Sequence, residues 1–176
     1  MIMTGMAMPS PAARVAAATP APESLPALPD VHAGGHAVAG SVALPDWGVL
    51  RASGEDARSF LHGQLTQDVL HLTPGRARLA GYCSAKGRLL ASFVVWADAA
   101  TGDVLLACSA DLLPATLKRL SMFVLRARCR LQDTSASLRV HGLVGPLAAA
   151  VGDGPWAVAP QGGGSAIRLP DAAGVA

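Results

Sequence analysis

Three groups of residues have the types and spacing to do chemistry. Gln64, Thr66, Gln67 and Asp68 follow Phe60-Leu61-His62-Gly63 and offer hydrogen-bonding groups without obligatory charge. They suit a polar wall for a heteroaromatic ligand. They suit equally a helix C-terminus running into a turn, because Gly63 inside a helix costs ~1 kcal/mol relative to Ala. The second group is Tyr82-Cys83-Ser84-Ala85-Lys86-Gly87-Arg88, a phenol, a thiol and two cations at a turn. Lys86 or Arg88 there could recognise an anionic or carbonyl group. A solvated turn, with Gly87 supplying positive φ, accounts for the same pattern. In the third group, Arg126, Arg128 and Arg130 alternate, so on a strand they share one face, with Lys118 and Arg119 close in sequence. That stripe suits a polyanion such as RNA or a polyglutamyl tail, or simply the solvated face of an antiparallel sheet.

Other chemistries find no support in the residue pattern. His62, His71 and His141 are not at metal-ligand spacing, and Cys83, Cys108 and Cys129 form neither a CxxC pair nor an even disulfide set. They read as reduced thiols of a cytoplasmic protein. The chain has no GxxxxGK[ST] loop, no GxGxxG after a strand and no GxSxG elbow. A net charge of +2, from 14 basic and 12 acidic residues, is too balanced to argue for nucleic-acid binding by charge alone. No apolar run reaches the ~18 residues of a membrane span. The start of the chain does not read as a secretory signal, since Arg14 comes late and Pro9 and Pro11 interrupt the run.

The elements that must position these groups lie between residues 44 and 146. Trp47 to Ala52 reads as a strand, Ser53-Gly54 as a turn with Ser53 as a helix cap, and Glu55 to Val69 as a helix with Ala57, Phe60, Leu61 and Leu65 on one side. Arg78–Ser84 and Leu89–Trp96 form a hairpin through Lys86-Gly87. Val104–Cys108 is a strand, Asp111 to about Met122 a helix capped by Asp111 or Ser109, and Arg126–Leu131 and Leu138–Leu143 two further strands. The order β-α-β-β-β-α-β-β has hairpins and no βαβ repeat. The expected fold is therefore α+β, a mainly antiparallel sheet with flanking helices. Residues 1–43 read as a disordered Ala/Pro-rich tail and residues 147–176 as a Gly/Ala-rich truncated tail, leaving the architecture incomplete.

Leu44-Pro45-Asp46-Trp47-Gly48-Val49-Leu50, the run Phe60-Leu61-His62-Gly63-Gln64-Leu65-Thr66-Gln67-Asp68-Val69, and Cys83-Ser84-Ala85-Lys86-Gly87-Arg88 appear in the order and spacing of a known family. The segment 44–146 resembles the YgfZ-type folate-binding proteins, relatives of the glycine-cleavage aminomethyltransferase. The resemblance implies an N-terminal portion of a tetrahydrofolate-binding accessory protein that supports iron–sulfur enzymes or assembly factors and tRNA modification. It places the folate on Trp47, Gln64, Thr66, Asp68, Tyr82, Lys86 and Arg88. An indole supplies a flat apolar face suited to a pterin ring. It further implies a cytoplasmic protein with possible tRNA contact and no membrane partner.

Two departures limit what is carried over. The aminomethyltransferases bear carboxylates where this chain has Ala91 and Ser92, so an aminomethyl transferase is the weaker alternative and enzymatic activity is not expected. The Lys-Gly-Cys-Tyr motif of the YgfZ-type proteins does not occur, so none of the three cysteines inherits its role. An RNA- or protein-docking module using the basic Lys118–Arg130 stretch is the remaining alternative.

Overall fold

The central strands owe their continuous apolar runs to burial on both faces. In the computed structural model, which describes residues 2–5, 40–149, 151–152 and 154–170, ten strands and three helices succeed one another. They are β1 (Ile2–Gly5), β2 (Gly40–Ala43), β3 (Trp47–Ser53), α1 (Ala57–His62), β4 (Arg78–Cys83), β5 (Leu89–Ala97), β6 (Val104–Ser109), α2 (Leu113–Ser121), β7 (Arg130–Asp133), β8 (Leu138–Val144), α3 (Pro146–Ala149), β9 (Val158–Gln161) and β10 (Gly164–Ile167). From β3 to β8 the order is the expected one. One sheet runs β4-β5-β6-β3-β7 and the other β2-β8-β1-β10-β9, with every pairing between named strands antiparallel.

The first sheet lies in the middle of three layers. On one face Leu50, Phe93, Val95 and Leu106 meet Leu61 of α1 and Leu113 and Leu120 of α2. On the other face Val49, Val94, Trp96 and Leu105 meet Leu138, Val140 and Ile167 of the second sheet. Alternate residues of β5 thus enter two different cores, so Phe93 to Ala97 are all buried. Arg51 closes the far edge: its Nη1 donates to Asp98 Oδ2 at 3.1 Å and to Asp103 Oδ2 at 2.8 Å, pinning the β5–β6 turn onto β3. Among the described residues no helix is long and apolar enough to cross a membrane.

Four expectations are corrected. The helix expected over 55–69 ends at His62, with Gly63 as its C-cap still in the right-handed helical region, and Leu65 pairs instead with Tyr82. Its N-cap is Asp56 rather than Ser53, and neither Ser109 nor Asp111 caps α2; the Ser109 hydroxyl donates to Asp111 Oδ1. The strand expected over 126–131 begins only at Arg130, so Arg126 and Arg128 do not share a strand face with it. Within the two expected tails, residues 2–5 and 40–43 form strands, and 158–167 form a hairpin that brings Ile167 into the second core. Gly162 and Gly163, read as tail residues, take φ of 56° and 78° and turn that hairpin. The remainder of the segment up to residue 39 lies outside the described residues.

Candidate functional site

The candidate site stands at one end of the central sheet, where two strands part. β6 stays paired with β3 as far as Trp47–Ser109, and β5 stays paired with β4 as far as Cys83–Leu89. The register between β5 and β6 nevertheless stops at Val94–Ala107, so the sheet forks beyond it. Trp47 stands on one arm of the fork, 37% exposed. Alternation from Val49 puts its side chain on the face of the second core, past the part that core covers. The other arm ends in the β4–β5 turn with Lys86 and Arg88, both exposed. Neither has a carboxylate partner among the described residues.

The polar run after α1 has a different job from the one its composition suggests. Thr66 N–H donates to Gly81 O at 2.9 Å, and the Thr66 hydroxyl accepts from Gly81 N–H at 2.8 Å. Gln67 Nε2 donates to Leu79 O at 3.3 Å, while its Oε1 accepts from Asp68 N–H at 3.0 Å. Residues 65–67 therefore satisfy the outer edge of β4, which would otherwise offer unpaired backbone groups. Asp68 is held by two imidazoles, His71 Nδ1 at 2.8 Å and His62 Nδ1 at 3.4 Å. The hydrogen bond with His71, foremost, draws its carboxyl below the ordinary aspartate range. Tyr82 is buried in the first core beside Leu65 and Phe93. Gln64 is half-buried, and no side-chain hydrogen bond of its own is formed among the described residues.

Of the seven residues expected from sequence, Trp47, Lys86 and Arg88 are exposed and Gln64 is half-buried. Thr66, Asp68 and Tyr82 are engaged by the protein itself. Ala91 is buried in the first core and Ser92 is exposed, so neither places a carboxylate at the fork. A cavity of about 290 Å³ opens at the other end of the sheet, between Arg51, Trp96 and Asp98 and the Gly162–Ser165 turn, and none of the seven lines it. No sequence pattern marked that cavity, which depends on a hairpin read as tail.

The thiols differ sharply. Burial, then the charges of Asp133 and Asp111, push the Cys108 thiol up to about 11. Burial and Asp56 also raise Cys129, which is half-buried. With iodoacetamide at neutral pH, Cys83 is expected to be alkylated in the folded protein while Cys108 reacts only on unfolding. Peptide mass mapping over time reads the order, and early modification of Cys108 would contradict the burial described here.

No family model matches the chain. Among curated proteins it is 38% identical over 55 residues to the tRNA-modifying protein YgfZ of Klebsiella pneumoniae (strain 342), covering 31% of this chain and 17% of that protein. It is 45% identical over 49 residues to the YgfZ of Edwardsiella ictaluri (strain 93-146), covering 28% and 15%. This chain is similar to the YgfZ-type proteins. It spans about one sixth of the length of those two relatives. Among solved structures, the glycine cleavage system aminomethyltransferase T from Bartonella henselae superposes with a TM-score of 0.55 over 63% of this chain and 30% of its own, at 21% identity. That likeness concerns the fold, and it agrees with the α+β, mainly antiparallel architecture expected from sequence.

Proposed function

We propose that this chain carries part of a tetrahydrofolate site of a cytoplasmic accessory protein that supports tRNA modification and iron–sulfur enzymes. The observation that carries the reading is the half-exposed Trp47 at the forked end of the central sheet, in a chain similar to the YgfZ-type proteins. An indole face in partial contact with solvent suits a flat bicyclic ring. Lys86 and Arg88, across the fork and without carboxylate partners among the described residues, suit the anionic glutamyl end of the same molecule. Gln64 adds neutral hydrogen-bonding groups. The residues present thus fit the binding of a folate.

They do not fit group transfer. Moving an aminomethyl unit requires a base or polarising carboxylate beside the folate nitrogen. Position 91 is a buried alanine, position 92 a serine, and Asp68 is tied to His71 and His62. The reading is therefore binding without transfer.

Titration of tetrahydrofolate against a protein in which Trp96 and Trp156 are phenylalanine reports on Trp47 fluorescence alone. Saturable quenching is expected. Trp47→Ala, followed by isothermal calorimetry, is expected to weaken binding roughly tenfold, the scale of one lost aromatic contact. An unchanged affinity would remove Trp47 from the site, and the absence of saturable heat in the parent chain would remove the folate reading.

A further inference from the structure

Residues 112–132 contain five cations, Lys118, Arg119, Arg126, Arg128 and Arg130, and no aspartate or glutamate. Arg128 pairs with Glu55. The other four are exposed and have no ion pair among the described residues. In their midst the chain leaves α2 and displays large apolar side chains: Met122 is 60% exposed, Phe123 49% and Leu125 84%. The display is held by backbone bonds. Phe123 N–H donates to Leu120 O at 3.0 Å, Val124 N–H to Ser121 O at 3.2 Å, and Leu125 N–H to Phe123 O at 3.0 Å. α2 packs against β7, so the element carrying Lys118 and Arg119 neighbours the strand that begins with Arg130.

We propose that this knuckle binds single-stranded RNA, with Phe123 as a stacking platform for a base and Lys118, Arg119, Arg126 and Arg130 as phosphate contacts. An aromatic ring set among unneutralised cations is the combination that single-stranded nucleic acids exploit. A second copy of this chain is a poor occupant, because a symmetric contact would set cations against cations. A lipid surface is also a poor one. α2 turns its apolar residues Leu113 and Leu120 inward, and Trp and Tyr, the residues that favour a membrane interface, are absent from the knuckle. The proposal does not depend on the folate reading, since Trp47 begins β3 while β7 pairs only with Leu50–Ser53 at its other end.

The full chain is titrated into a fluorescein-labelled, single-stranded RNA of mixed sequence and anisotropy is read at several salt concentrations. Four phosphate contacts predict a log–log salt slope of roughly −3. The double variant Arg126→Glu, Arg130→Glu is expected to weaken binding more than about tenfold and flatten the slope. Phe123→Ala is expected to weaken binding roughly tenfold with the slope kept, because stacking releases no counterions. Arg139→Glu, an exposed charge reversal on β8, serves as control and is expected to change affinity less than about twofold. Circular dichroism and tetrahydrofolate calorimetry on every variant separate loss of folding and failure of the folate site from loss of RNA binding. Equal weakening by Arg139→Glu, an unaffected arginine double variant, equal affinity for a duplex of the same sequence, or binding to phosphatidylserine vesicles that RNA does not compete with would each overturn the proposal.

Discussion

Gly54→Ala should destabilise the protein by about 3 kcal/mol or more, read as a lowered urea midpoint. Gly54 takes φ +106°, where an L side chain is strained. A Cβ built there would overlap the carbonyl oxygen of Arg128 and lie 3.0 Å from its carbonyl carbon and 3.5 Å from Cys129 Cα. Those are backbone atoms and cannot swing aside. They are also held in place: Asp56 N–H donates to Arg128 O at 3.2 Å, and Arg128 N–H donates to Asp56 Oδ2 at 2.8 Å. To admit a methyl group, the turn between β3 and α1 must leave the chain leading into β7. Gly87→Ala is the matched control, with φ +74° and nothing within 4 Å of the added atom. It should cost only about 1 kcal/mol, the conformational part alone. Equal losses at the two positions would mean that the Arg128 contact contributes nothing.

That contrast shows where sequence reasoning reached its limit. Gly54 and Gly87 both read as turn residues, and both are. What separates them is a partner 74 positions further along, which no local pattern reveals. The strand and helix order from β3 to β8 was legible because each element carries its own periodicity and its own turn. The polar run Gln64–Asp68 was legible as something unusual, but composition does not tell a ligand wall from a segment that satisfies an open strand edge; the Thr66–Gly81 pair of bonds decides that. Trp47 was marked by resemblance, and its half-exposure at the fork is compatible with that reading. The arginine alternation implied a strand face, yet Arg126 and Arg128 precede β7 because the Gly54–Asp56 turn captures the backbone at Arg128. Hydrogen bonding to a distant turn overrode a local two-residue period.

The same limit concealed the hairpin of β9 and β10, and Ile167→Ala tests it with a large expected effect. Five glycines between residues 152 and 164, at 152, 154, 162, 163 and 164, made the region read as tail. Three-dimensional placement gives those glycines a purpose: two of them form the turn that lets β10 return beside β1 and bury Ile167 against Val49, Trp96, Leu105, Leu138 and Val140. Removing three carbons from a fully buried isoleucine should cost about 2–5 kcal/mol. Leu169→Ala, two residues on at a position 40% exposed, should cost within about 0.5 kcal/mol. Urea unfolding followed by tryptophan fluorescence is suited to the comparison, since Trp96 lies in the second core and Trp156 packs against it. If residues 158–167 were an unstructured tail, the two variants would behave alike and Trp96 would stand exposed in both. A midpoint shift confined to Ile167→Ala places the hairpin inside the cooperative unit. That result also confirms that β10 covers the face of the central sheet around Trp96 and Val49, the latter on the strand whose first residue, Trp47, stays exposed.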